Sequence, residues 1–279
     1  MKVSVVTIAS GRHAHLDAQL TMLAQSTVEP LQHVVVAIAD PGIAGVVANR
    51  ADVVVLESDS PRLPIGHARN LGARTALAGG AEILIFLDVD CLPATDLVER
   101  YCGAATDPTH GSSLLCGPVT YLPPRGSAWT MSELEAATAP HPVRPDPKPG
   151  VLAVGDNHDL FWSLSFATVA DTWHAIGGFH EGYRGYGGED TDFAATARSR
   201  DIPIVWVGGA HAYHQHHPVS SPPIEHLDDI IANSAVFHRR WGRWPMPGWL
   251  DEFEASGLIA RSPDGTIART RVRGPFPPS

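Results

Sequence analysis

The sequence predicts a layered α/β domain built on a mixed, mostly parallel central sheet flanked by helices. Three observations carry that prediction. Short β-branched runs alternate with helical stretches through the first ~120 residues. The strand runs are apolar without interruption, as in sheets covered on both faces. One helical stretch is lined by small residues and can lie close against a sheet.

The elements follow in order. Val3–Ile8 reads as a strand, and His15–Gln25 as a helix with Leu16, Leu20 and Leu23 on one face. Val34–Ala39 and Val53–Leu56 are further strands. Ile65–Ala78 is the small-residue helix, with Ala68, Gly72 and Ala76 along it. Ile83–Leu87 is a fourth strand that runs directly into Asp88-Val89-Asp90. The character then changes. Pro123 to Pro149 is rich in proline and reads as a long loop carrying one short helix near Met131–Ala137. Loops of that length are usually functional or disordered. Leu160–Val169 returns to strand character, and Ala170–Ile176 is a short helix ended by Gly177-Gly178. Glu189–Arg200 is a helix, Pro203–Val207 a strand, and His211–His217 a histidine-rich segment. Leu227, Ile230, Ile231, Ser234 and Trp241 mark one face of an amphipathic helix. The last ~20 residues are expected as a loose tail.

Composition narrows the class of partner. The chain has 279 residues, 44% of them hydrophobic, enough for one large core. Its formal net charge of -10 argues against nucleic-acid binding through a basic surface. An anionic substrate would need a metal or a placed Arg to hold it. No apolar stretch reaches bilayer-spanning length, and the run after Met1 is too short for a signal peptide. Three cysteines, an odd number without zinc-type pairing, fit a reducing cytoplasm.

Four segments carry chemistry. Phe86-Leu87-Asp88-Val89-Asp90-Cys91-Leu92-Pro93 ends a buried strand in two acids. Residues two apart on a strand point the same way, toward the sheet edge where open α/β sheets bind ligands. Paired carboxylates there suit Mg²⁺ or Mn²⁺. A bare pair of this kind also occurs as solvated acids opening a turn; the buried strand before it and Pro93 after it favour the metal. The second segment is Gly177-Gly178-Phe179-His180-Glu181 with Tyr186-Gly187-Gly188-Glu189-Asp190-Thr191-Asp192. Its acids fall in a first helical turn, where the dipole favours the ionised form, and three of them exceed what capping requires. One could act as a general base on a hydroxyl. In the third, Arg69 opens a helix of small residues; it reads equally as a surface residue or as a contact to a phosphate or base edge. In the fourth, one of His211, His214, His216 and His217 could complete a metal site held by carboxylates. Arg12 and Asp40 follow strands at the same sheet edge.

The order of strand, Asp40, Ala68-Arg69-Asn70-x-Gly72 and Asp88-Val89-Asp90 resembles family 2 glycosyltransferases of the GT-A fold. The stretch Gly177–Phe179 through Gly187-Gly188-Glu189-Asp190 resembles the C-terminal segment of the β-1,4-galactosyltransferases. The resemblance implies an inverting transferase that takes a sugar from a nucleotide diphosphate sugar, a UDP-sugar foremost, with Mn²⁺ or Mg²⁺, and delivers it to a carbohydrate or glycoside acceptor. It implies Asp190 as the base and Glu189 as an acceptor contact. Tyr186, Gly187 and Gly188 would line the acceptor side. Asp88, Asp90 and His214 would hold the metal, with His211 as the rival histidine. Ala9, Arg12, Asp40, Arg69, Asp88, Val89 and Trp162 would face the donor, Asp40 toward uracil and Arg12 toward phosphate. It divides the chain into a catalytic domain, 1–220, with a nucleotide-binding half, 1–120, and an acceptor and catalytic half, 121–220, followed by a C-terminal helix and tail, 221–279. Tyr186 stands where the galactosyltransferases carry Trp, and Thr191 where they carry Asp, so no particular sugar is implied. A nucleotidyltransferase would need a stronger phosphate loop than Ala9-Ser10-Gly11-Arg12. A non-catalytic binding module would need no base, and a histidine metal store would leave the acids unexplained.

Overall fold

In the computed structural model, which describes residues 1–218, 220–262 and 264–270, the apolar runs pair into strands. These are β1 Val3–Ala9, β2 Gln32–Ile38, β3 Asp52–Leu56, β4 Ile83–Leu87, β5 Cys91–Pro93, β6 Leu114–Cys116, β7 Val119–Tyr121, β8 Leu152–Gly155, β9 Ser165–Val169, β10 Ile204–Val207, β11 Ala212–His214, β12 Ile259–Arg261 and β13 Ile267–Arg269. The helices are α1 His13–Leu23, α2 Gly42–Val47, α3 Ile65–Ala78, α4 Leu97–Ala105, α5 Met131–Ala136, α6 Ala170–Ile176, α7 Glu189–Ser199, α8 Leu227–Trp241 and α9 Pro247–Ala255. An eight-stranded sheet runs β3-β2-β1-β4-β9-β6-β10-β8. β1 to β4 run parallel to one another, whereas β9 lies antiparallel between β4 and β6, and β8 antiparallel at the edge. The expected mixed, mostly parallel sheet is therefore present.

Packing at the sheet explains why the site lies where it does. α3 approaches so closely that a Cβ on Gly72 would collide with Val6 and crowd Val36. This close fit needs the small residues that the sequence places there. On the same sheet face, Phe86 stacks on Phe166 at 4.6 Å between centroids, and Phe179 on Phe193 at 4.3 Å. This aromatic core joins β4 to α7, so the two acidic segments end side by side. A second small sheet, β5-β11-β7, begins just past β4 and carries the histidine segment beside it.

Two expectations change. The strand expected over Leu160–Val169 begins only at Ser165; residues 158–160 form a 3₁₀ turn, and Trp162 precedes the strand. The turn is fixed by Asn157, whose side chain caps it by accepting from Asp159 N. The C-terminal region is not a loose tail within the described residues. α9 carries Leu250 and Phe253 into a small core with Leu227, Ile230 and Ile259, and β12 pairs with β13. Residues 271–279 of the expected tail lie outside the described residues.

Asp192 fastens α8 to α7. Its Oδ1, fully buried, accepts from Tyr183 OH at 3.1 Å, Arg240 Nε at 2.7 Å and Trp241 Nε1 at 2.7 Å. Asp192→Ala is expected to lower stability in urea unfolding by about 3 kcal/mol, because it orphans one buried donor, one half-buried donor and one half-buried cation. No described helix is long and apolar enough to cross a membrane. All three cysteines are unpaired.

Candidate active site

β4 is buried throughout and stops at Leu87, so Asp88 and Asp90 sit on the turn that follows rather than on the strand. Cys91 N closes the turn on Asp88 O at 2.8 Å. The two acids therefore part company. Asp88 Oδ1 accepts from Arg69 Nη2 at 2.9 Å. Asp90 turns toward the histidines, 3.6 Å from His214 Nε2 and 3.5 Å from His217 Nε2, with Arg12 Nη1 at 3.6 Å. One ligand atom from each of Asp90, His214 and His217 lies within 4.8 Å of the others. Asp88 is not in that group, and His217 replaces it. The sequence held the signal as His214-x-x-His217, but four histidines in seven residues left the choice open.

His211 is not a candidate ligand. It is buried, and its Nε2 is engaged with Thr120 Oγ1 at 2.7 Å, a hydroxyl that also accepts from Ala139 N. Burial pulls its pKa down to about 4. A folded-state value below the ordinary 6.5 gives stability that is complete above pH 6.5 and lost as pH falls through 4. Between pH 7 and 4 the native chain should lose about 3 kcal/mol more than His211→Gln, read from urea unfolding at each pH. Burial also lowers the pKa of His214, which keeps its ring neutral, the form that binds metals. For Asp90, burial alone would raise the value; His217, His214 and Arg12 outweigh it and hold the carboxyl below its ordinary range.

Arg69 departs from expectation. It is neither a surface residue nor open to a phosphate. Its guanidinium, 4% exposed, spans Asp88 at 2.9 Å and Glu189 Oε1 at 3.1 Å. It also lies over the Phe179 ring at 5.1 Å. Burial opposes its charge, and Asp88 and Glu189 outweigh burial, so it stays protonated. Beside it, Asn70 accepts from Phe179 N at 2.8 Å and donates to Phe179 O and Glu181 Oε1, both at 2.9 Å. The α3 motif thus brackets the glycine loop from residue 177 to 181.

Glu189 and Asp190 open α7. Glu189 Oε2 is buried and without a hydrogen-bond partner among the described residues. Burial, then the adjacent Asp190, raises the Glu189 pKa. Burial likewise raises that of Asp190, whose Oδ1 accepts from Thr191 N at 2.7 Å and Thr191 Oγ1 at 3.3 Å. Gly187 and Gly188 reach φ of 88° and 94°, a region where side chains are strained. Tyr186 stacks on His226 at 4.3 Å and lies 6.0 Å from the Trp249 ring. Its ring is thus engaged within the protein, unlike a free sugar platform.

The loop that precedes these acids is held by α8. Asn233 Nδ2 donates to the carbonyls of Arg184, Tyr186 and Gly187 at 3.0, 3.2 and 2.8 Å, and its Oδ1 accepts from Arg184 N. Asp229 accepts from Tyr186 N and pairs with Arg62 at 2.9 Å. These α8 residues had no signal in the sequence beyond their place on a helix.

The remaining donor-side candidates divide. Asp40 is committed to its own loop, accepting from Gly11 N, His13 Nε2 and Gly42 N at 2.7, 2.8 and 3.0 Å. Ala9 ends β1 and Val89 sits in the acidic turn, both buried. Trp162 packs edge-on against His141, with Arg144 over its ring at 5.0 Å. A cavity of 780 Å³ opens beside the histidines, lined by Tyr121, Leu122, Ile224 and Glu225 as well as His214 and His217.

Residues 158–218 match the family described as the N-terminal domain of galactosyltransferase. Validoxylamine A glucosyltransferase of Streptomyces hygroscopicus subsp. limoneus is 28% identical over 234 residues, covering 73% of this chain and 49% of the relative. Its counterpart from subsp. jinggangensis is also 28% identical, covering 73% and 53%. The chain thus spans about half the length of these curated relatives. Among solved structures, S. aureus TarS 1–349 in complex with UDP-GlcNAc aligns with a TM-score of 0.56 at 16% identity, over 79% of this chain and 60% of that one. GalNAc-T7 with UDP, GalNAc and Mn²⁺ aligns at 0.55 and 11% identity, over 92% and 57%. The fold is that of GT-A glycosyltransferases, and the chain is homologous to glycosyltransferases.

Proposed function

We propose that this chain moves a sugar, with inversion, from a nucleotide diphosphate sugar to a hydroxyl of a carbohydrate or glycoside acceptor. A UDP-sugar is the favoured donor, as UDP or UDP-GlcNAc is present in the similar structures. One observation carries the reading. Arg69 ties Asp88 to Glu189, which sets the base-like pair Glu189–Asp190 beside the Asp90–His214–His217 group.

A carboxylate and two imidazoles at this spacing fit a divalent ion, and the two nitrogens suit Mn²⁺ better than Mg²⁺. When bound, the ion supplies positive charge opposite the diphosphate. Arg12, beside Asp90, adds a fixed cation on the same side. Asp190 takes the proton of the acceptor hydroxyl as it attacks the anomeric carbon from the face opposite the leaving group. Glu189, whose Oε1 is held by Arg69, is assigned to the acceptor side beside Asp190. A single displacement of this kind inverts the anomeric centre. The halves 1–120 and 121–220 then serve donor and acceptor.

The test is a panel of UDP-, GDP- and dTDP-sugars, each with Mn²⁺. The panel reads thermal stabilisation and transfer or hydrolysis, and UDP-glucose and UDP-GlcNAc come first. Ligands that bind only the folded state raise its melting temperature. A UDP-sugar is expected to stabilise the protein and to release UDP with Mn²⁺ present. No response to any nucleotide sugar would overturn the proposal, and release of pyrophosphate would redirect it to nucleotidyl transfer.

A further inference from the structure

We propose that Gln19 is a positioning residue for the metal site, holding the Asp88–Cys91 turn so that Asp90 faces His214 and His217. The inference rests on the reading of Asp90, His214 and His217 as metal ligands.

Gln19 lies on the buried face of α1 among Leu16, Leu20 and Leu23, and is fully buried. A buried amide there must satisfy both of its N–H groups and its oxygen. It does so by bridging the two ends of the acidic turn. Nε2 donates to Asp88 O at 2.6 Å and to Cys91 O at 2.9 Å. Those carbonyls only accept, so the orientation of the amide is fixed. Its Oε1 then needs a donor, which is Thr7 OH at 3.0 Å. Having given its proton, Thr7 Oγ1 accepts from His33 Nε2, also at 3.0 Å. Thr7 is fully buried and His33 nearly so. His33 therefore carries its proton on Nε2, and its bare Nδ1 is the atom left without a partner.

The chain His33–Thr7–Gln19 thus runs from β2 through β1 to α1 and ends on the acidic turn. The other bonds to the backbone of that turn come from backbone groups. Asp88 N donates to Leu164 O at 2.9 Å, and Gln215 N donates to Asp90 O at 2.7 Å. Among the described residues, Gln19 is the one side chain that grips the turn's carbonyls. Partners that orient a ligand, without touching the metal, commonly change affinity by about 10–100-fold when removed.

Two variants separate positioning from bulk stability. Gln19→Met keeps length and apolar packing but removes both donors. Gln19→Glu keeps shape but sets acceptor oxygens against two carbonyls. The readout is Mn²⁺ alone, titrated into the full chain by electron paramagnetic resonance and calorimetry, with circular dichroism to confirm folding. Both variants should bind Mn²⁺ at least about 10-fold more weakly than the native chain. The apparent KM for Mn²⁺ should rise while kcat at saturating metal largely recovers. Thr7→Val, which leaves the amide in place but lets it turn, should give a smaller loss and carries the test if the Gln19 variants fold poorly. Folded variants with native Mn²⁺ affinity would overturn this inference alone. A native chain that binds no Mn²⁺, with or without UDP, would overturn the metal reading and this inference with it.

Discussion

Asp190→Asn is expected to lower sugar transfer by about 10³-fold while leaving nucleotide and Mn²⁺ affinity nearly unchanged; positioned bases contribute about 10²–10⁴ in rate. The substitution is close to a pure removal of basicity. Asn has the same shape, and its oxygen can still accept from Thr191 N and Thr191 Oγ1. Asp192, two residues on, makes the bonds that seat the helix, so Asp190 is free of that duty. Burial raises the Asp190 pKa above its ordinary value, which strengthens the carboxylate as a base. The native rate should therefore rise along an acid limb displaced upward in pH, and the variant should lose that limb. Steady-state rates against pH, with isothermal titration of UDP, supply both readouts. Unchanged turnover would remove Asp190 as the base.

Asp90→Ala is expected to weaken Mn²⁺ binding by more than about 10²-fold and to abolish transfer at micromolar metal. Asp90 is the only acid of its group. Without it, two imidazoles and Arg12 share one site with no carboxylate ligand to draw a cation in. His217→Ala removes a neutral donor and should cost less, so raised Mn²⁺ should rescue it further. Chelation of the native protein should mimic Asp90→Ala and reverse on adding Mn²⁺. Full activity of the chelated, metal-free protein would remove the metal from the proposal.

How much of this was legible in the sequence depended on length of signal. β4 and α3 match their predicted bounds, because an unbroken apolar run and a long small-residue helix each repeat their pattern several times. The strands β5, β7 and β11 did not show, since three residues carry no period, yet they place His214 beside Asp90. The acids of the glycine-rich segment were visible as a group but not as individuals. Only the docking of α8 separates Asp192, which anchors, from Glu189, which Arg69 holds, and from Asp190. Arg69 read as a free cation because its partners lie 19 and 120 residues away. Gln19 left one trace, a polar residue on the apolar face of its helix, and its meaning depended on a turn 69 residues further on.

The grip of Asn233 on residues 184–187 has a consequence for how the protein is made. The ribosome releases both acidic segments and the histidines before it releases α8. Through that interval the nascent chain carries the residues of the site but not the amide that ties three carbonyls of its glycine loop together. The site is thus closed from behind, by a helix among the last parts of the described chain to be synthesised.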